Sequence, residues 1–228
     1  MTFGGGFGRV FRPAFDPGLT ALPWYRAGGA PLPVAAYQPK GAASLAASYV
    51  NLANPGTYDA APGTAPTHAS ATGWTFAAGS SQYLVTGITP ANDQTWSVLI
   101  AYSGATASDS QILFGSANNM SPPYIGIYPR PASVNTSYQN GFYLSVGAGA
   151  ASGVVAVAEN KPYRDGVAQM GTIPTAAGTF NAIFIGARNG GASANTFYNG
   201  NIQAVAIWNT STGHATWMPA VSAAVALI

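Results

Sequence analysis

The chain has 228 residues, 48% of them apolar and only 6% charged, with eight basic and six acidic residues and a net charge of +2. Its length suits one large all-β domain with a sizeable core, while its charge content lies far below the roughly 25% of ordinary soluble domains. No run of Lys or Arg can neutralise successive phosphates, which excludes a nucleic-acid surface, and the absence of cysteine excludes disulfides and thiolate metal sites.

With so few charges, the surface must be built from Ser, Thr, Asn, Gln, Gly and Ala. Such a surface suits contact with sugars or other protein copies better than mutual repulsion. No apolar stretch approaches the roughly 20 residues of a spanning helix, so no membrane insertion is expected. The opening "MTFGGGFGRVFRPAFDPG" has no continuous apolar core of an export signal. The expectation is synthesis in a cytoplasm and release by another route, such as lysis.

Residues 1–33 are rich in Gly and Pro and carry Phe3, Phe7, Phe11, Phe15, Trp24 and Tyr25. The glycines beside the phenylalanines argue for an extended path over a helix. This stretch is expected to be an arm that docks its aromatic side chains on a neighbouring subunit, with residues 34–228 as the folded domain. In "KGAASLAASYVNLANPG", Leu45, Tyr49 and Leu52 fall at helical spacing before the stop Asn54-Pro55-Gly56, which predicts a short helix at about 42–53.

From Gly73 the texture changes to β. "GWTFAAGSSQYLVTG" (73–87) reads as two strands around a small polar turn, with Trp74, Phe76, Tyr83 and Leu84 as core-formers. "TWSVLIAYSG" (95–104) puts Trp96, Val98, Ile100 and Tyr102 on one face. "SQILFGS" (110–116), "YIGIYP" (124–129) and "GFYLSVGAG" (141–149) continue at meander spacing, and "NMSPPYIGIYPRPAS" (119–133) reads as a stiff exposed loop. In "GVVAVAENKPYRDGVAQ" (153–169), Asp165-Gly166 is a hairpin dipeptide. "FNAIFIGARNGG" (180–191) and "FYNGNIQAVAIWN" (197–209) give two more strands. A short terminal helix follows, with Pro219 limiting where it starts.

These segments, in this order over about residues 35–228, resemble the concanavalin A-like, laminin-G-type jelly-roll family. "AAYQPKGAASLAASYVNLANPGTYDAAPGTAPT" is in turn similar to laminin-G-like structural proteins of tailed bacteriophages. The resemblance implies an all-β jelly-roll sandwich with an extended N-terminal arm. It also implies a virion structural protein, either capsid decoration or tail-associated. Its partners would be other virion proteins, copies of itself, or host-surface glycans. A stand-alone carbohydrate-binding module and a self-assembling filament or sheath protein are the alternatives.

Alternation in Gly200–Trp208 puts Ile202, Ala204, Ala206 and Trp208 on one face and Gln203, Val205 and Ile207 on the other. Both faces are largely apolar, so this strand should lie inside the sandwich with its outer face covered by the terminal helix or a neighbouring subunit.

Catalytic constellations are sparse. Glycan cleavage needs a carboxylate pair about 5–5.5 Å or 6.5–9.5 Å apart, yet Glu159, Asp16, Asp59, Asp93, Asp109 and Asp165 never fall two or four residues from one another. His68 lies in a Pro-Thr-rich loop, His214 sits near the terminal helix, and there is no nucleophile elbow. The expectation is a protein that is no enzyme, with no catalytic residues, no metal and no cofactor. Calcium is the one ion weighed, with Asp93, Asp109, Asn118, Asn119 and Asn195 as oxygen donors. Tyr124, Tyr128, Arg130, Tyr138 and Arg188 are the candidate contacts for a glycan or a protein partner.

Overall fold

The computed structural model describes residues 22–228 apart from 92–93, 109, 119–120, 132–134 and 192. Phe3, Phe7, Phe11 and Phe15 of the expected arm, with Asp16, Asp93, Asp109 and Asn119, therefore lie outside the described residues.

A 3-10 helix, Trp24–Gly29, leads into β1 (Ala35–Tyr37), the single turn α1 (Leu45–Ser48), β2 (Ala61–Thr64) and β3 (Thr67–Ala69). Next come β4 (Gly73–Phe76), β5 (Tyr83–Val85), β6 (Ser97–Ser103), β7 (Phe114–Asn118), β8 (Ser121–Tyr128) and β9 (Asn135–Ala148). The hairpin strands β10 (Gly153–Ala158), β11 (Lys161–Arg164) and β12 (Val167–Ala168) are followed by β13 (Phe184–Ile185) and β14 (Arg188–Asn189). β15 (Ala194–Asn195), β16 (Gly200–Trp208) and α2 (His214–Val225) close the chain.

The strands form two sheets, antiparallel apart from one short parallel pairing of β14 with β7. Sheet I has the order β12-β11-β10-β6-β16-β4-β3, with β1 also on β16. Sheet II has the order β15-β14-β7-β13-β5-β2, extended by β8 on β7 and β9 on β8. The architecture is a jelly-roll β-sandwich. One core lies between the sheets and joins Trp74, Val98, Ile100, Val155, Val205 and Ile207 of sheet I to Leu84, Phe114, Ile125, Ile127, Tyr138 and Ile185 of sheet II.

A second core covers the other face of sheet I. Leu99, Ala101, Ala156, Ala204, Ala206 and Trp208 pack there against Trp24 and Tyr25 of the 3-10 helix and Trp217, Met218, Val221 and Val225 of α2. β6 is therefore buried on both sides from Ser97 to Tyr102. The covering of β16 expected from its two apolar faces is the chain's own α2. Trp24 and Tyr25, expected in the arm, instead belong to this packing. They meet edge-to-face at 5.5 Å, and the Tyr25 hydroxyl donates to the Leu52 carbonyl at 3.0 Å.

Three further expectations need correction. The pairing of β16 with β6 shifts register between Ile202 and Ala204. This bulge turns Ile202 to the inner face beside Val205 and Ile207, because an extra residue reverses the alternation. The helix expected at 42–53 is one turn long. Ser44 caps it by accepting from the Ala47 amide at 3.1 Å, but the fully buried Asn51 pulls the chain away. Its Oδ1 accepts from the amides of Ala36 and Ala53, and its Nδ2 donates to the carbonyls of Val34 and Thr57. The stiff exposed loop expected at 119–133 is largely β8, whose Ile125 and Ile127 alternate into the inner core.

The Asp165-Gly166 turn follows its sequence signal closely, and the start of the terminal helix does not. Asp165 and Gly166 have φ of +48° and +80°, the paired left-handed residues of a type I′ hairpin. Pro219 lies inside α2, so the terminal helix starts earlier than that proline suggests. Gly213 precedes it at φ +70°.

Replacing Asn51 by Ala should remove four hydrogen bonds to the backbone, one of them to the fully buried Ala36 amide, and a buried group left unpaired costs about 1–3 kcal/mol. A loss of at least ~3 kcal/mol in denaturant unfolding is expected, while an unchanged midpoint would show that the amide does not hold the strand. Burial, aided by Asp59, lifts the Tyr37 phenol far above its ordinary value, and burial, aided by Tyr102, does the same for Tyr198. The unfolded chain releases these protons near pH 10, so stability is fully present below that pH and falls as pH rises beyond it. Alkaline titration followed at the phenolate absorbance should show these tyrosines ionising together with unfolding.

Candidate functional site

The central strands of sheet I are covered on both faces, so the outward face of sheet II is the broad face of the sandwich that remains open to a ligand. Strand alternation dictates which ones. Leu84 of β5 points into the core, which turns Tyr83 and Val85 outward; Ile183 and Ile185 point in, which turns Phe184 outward. Tyr198 is buried, so its neighbour Phe197 also faces out.

Tyr83, Phe184 and Phe197 are half-buried and form one aromatic group. The Tyr83 and Phe184 rings stack with centroids 4.9 Å apart at 29°, and Phe197 lies 6.3 Å from Tyr83. Beneath them Gly63 of β2 has no side chain: a Cβ there would stand 2.1 Å from Cζ of Tyr83. Glycine at this position lets the ring lie on the strand.

Beside the stacked pair opens a cleft of about 130 Å³, bounded by Tyr83 and Phe184 with Asn189, Ser193 and Ala194. β14 and β15 pair Arg188 with Asn195 and Asn189 with Ala194. Gly115 of β7 pairs with both Phe184 and Arg188, and cross-strand partners share a face, so Arg188 and Asn195 stand on the outward face with Phe184, while Asn189 and Ala194 edge the cleft. Asn189 is fixed, since its Nδ2 donates to the Ala182 carbonyl and its Oδ1 accepts from the Gly191 amide, both at 2.9 Å.

On this same outward face Arg188 gathers two of the tyrosines singled out in the sequence. Its Nε donates to Asn195 Oδ1 at 2.9 Å and its Nη1 to the Tyr128 hydroxyl at 3.3 Å. Its guanidinium carbon lies 5.9 Å from the Tyr124 ring centroid, within cation–π range. Burial raises the Tyr128 phenol above its ordinary value, and the nearby Arg188 charge acts against that rise.

Tyr124, Tyr128 and Arg188 thus come together. Tyr138 does not join them, because it pairs with Ile127 across β8 and β9 and lies wholly inside the core. Arg130 reaches the Ala105 carbonyl at 3.4 Å and serves a loop contact. The Tyr83–Phe184–Phe197 group was missed because Tyr83 reads as a core-former. The signal is the alternation itself, once Leu84 and Ile185 are assigned to the core.

Among the described residues the acids are dispersed. Asp59 accepts from the amides of Asn51 and Gly56. Asp165 accepts from the Val154 amide at 2.8 Å and lies 3.6 Å from Arg164. Glu159 stands 3.4 Å from Nε2 of His214, whose Nδ1 is 2.7 Å from the Tyr163 hydroxyl. Among the described residues no three His, Cys, Asp or Glu side chains gather closely enough to hold a metal ion.

No protein-family model matches the chain, and no curated protein matches it. Solved structures do. Trypanosoma rangeli sialidase in complex with 2,3-difluorosialic acid, a covalent intermediate, aligns over 92% of this chain and 35% of its own, with a TM-score of 0.56 at 12% identity. A mutant of that sialidase displaying trans-sialidase activity aligns over 86% and 35%, at 0.55 and 14%. The same sialidase with the inhibitor DANA aligns over 85% and 33%, at 0.54 and 12%.

The chain therefore spans about a third of the length of these proteins, and the likeness is one of fold. It agrees with the jelly-roll expectation and shows no phage link. It also corrects the expectation that the chain is no enzyme. The neighbours are sialidases, so lack of an acid pair along one strand is no ground for excluding catalysis.

Gly63→Ala should expel the Tyr83 ring and break its stack on Phe184. A stability cost of about 1–2 kcal/mol and loss of the ring-current shifts of Phe184 in NMR are expected. Unchanged shifts would show that Tyr83 does not rest on Gly63.

Proposed function

We propose that the chain is a glycan-binding, lectin-like module carried on a larger assembly of many copies. The observation that carries this reading is the stacked Tyr83–Phe184 pair with Phe197 at the mouth of a cleft edged by Asn189 and Ser193. Aromatic faces receive the C–H face of a pyranose, while amide and hydroxyl groups at the edge suit its hydroxyls. The cleft is too small to enclose a drug-sized ligand, for which sites run to roughly 300–1,000 Å³. It suits one sugar ring lying against the aromatic shelf.

The assembly is the finer part of the proposal. A surface with 6% charged residues has little electrostatic reason to stay apart from its copies. The sequence resemblance makes a phage tail or capsid the assembly in question, with the N-terminal segment as the attachment and the outer face of sheet II turned towards host glycans.

Titration of the full chain against an array of mammalian and bacterial glycans is expected to give saturable binding. Tyr83→Ala or Phe184→Ala should weaken it by roughly tenfold, as expected for loss of about 1–1.5 kcal/mol of aromatic stacking. Phe184→Leu, which keeps the volume of the side chain, checks that the loss is not one of folding. Binding that both Ala variants leave intact would overturn the assignment of this face.

A further inference from the structure

A larger cleft lies on the opposite side of the molecule, where the 3-10 helix meets the start of α2. Its volume is about 430 Å³, within the range of small-molecule sites. Gly29 and Pro31 form one wall, Thr210, Thr212 and Thr216 form the other, and Trp217 completes the lining. None of these residues carries a charge.

The walls are fixed by hydrogen bonds from the buried layer beneath. Nε1 of Trp208 donates to the Pro31 carbonyl at 2.9 Å. Nε1 of Trp217 donates to the Thr212 carbonyl at 3.0 Å, and the Ser97 hydroxyl donates to the Thr210 carbonyl at 2.9 Å. Trp208 and Trp217 lie against each other with centroids 5.0 Å apart. Gly28, at φ +64°, brings the 3-10 segment onto α2 so closely that a Cβ would stand 2.5 Å from that of Ala220. A cleft whose walls are tied in this way needs little reordering to receive a ligand.

We infer that this cleft is a second binding site, for a neutral hydroxylated molecule of mono- or disaccharide size. Three threonine side chains converge on it from one segment and the first turn of α2. The Thr210 hydroxyl accepts from the Thr212 amide at 3.2 Å and keeps its own proton to donate. Pro31 supplies apolar surface for the C–H face of a ring, above the nearly buried Trp217 indole. With no charge in the lining, carboxylated, sulfated or phosphorylated ligands gain nothing here that a neutral polyol does not. The inference does not rest on glycan binding at sheet II, since the two sites share no residue and lie on opposite sides of sheet I.

The test is saturation-transfer NMR and tryptophan fluorescence on the full chain with glucose, galactose, N-acetylglucosamine, maltose and lactose. At least one is expected to bind with a dissociation constant on the order of 1 mM and to shift tryptophan emission. Thr216→Trp, exposed on the helix and filling the cleft, should weaken that binding at least tenfold. Thr212→Arg should do the same, and Tyr83→Ala should leave it unchanged. Binding lost in Tyr83→Ala but kept in both threonine variants would place the sugar on sheet II and overturn this inference alone. Binding of none of the five sugars would also overturn it.

Discussion

The whole arrangement depends on β6 and β16 lying in the middle of three layers, with apolar cores on both faces. A strand in that position can carry no ionised side chain, because moving a charge out of water without a partner costs several kcal/mol. Each face must also be matched by a separate packing surface. Sheet II supplies one; α2 and the 3-10 helix supply the other. Once sheet I is closed in this way, ligands meet the sandwich on the outward face of sheet II or where covering elements join.

Several of the polar side chains that cross the buried layers are neutral and hydrogen-bonded. Asn140 donates to the Glu159 carbonyl at 2.6 Å and its own carbonyl accepts from Gln94 at 2.6 Å. Asn51 joins the strand before α1 to the loop after it. Ser97 reaches the segment that leads to α2. Amides and hydroxyls thus do the joining that ion pairs do in more charged proteins, and each keeps its strength indifferent to salt. The low charge content follows from this mode of construction as much as from any need of the surface.

Much of this was legible in the residues. The two apolar faces of Gly200–Trp208 required a cover, and the terminal helix provides it. Asp165-Gly166 specified its turn through φ alone. What escaped was longer in range. A bulge at Gln203 cannot be read from alternation, because it depends on the register with β6, and it moved Ile202 to the other face. The helix after Ser44 stopped early because Asn51 found four backbone partners distant in sequence. Trp24 and Tyr25 sat in a Gly- and Pro-rich stretch whose texture gave no hint of the groove between α2 and sheet I that holds them. At the candidate site, Arg188 with Tyr124 and Tyr128 was visible as residue types, while the stack of Tyr83 on Phe184 needed the pairing of β5 with β13.

The central claim is that one sheet is sealed and the other is open for contact. Hydroxyl-radical footprinting of the native chain tests this most directly. Rapid labelling of Tyr83, Phe184 and Phe197 is expected, with Trp208, Trp217 and Met218 protected until the chain unfolds. Early oxidation of Trp217 and Met218 at native stability, with Tyr83 and Phe184 protected, would contradict the account.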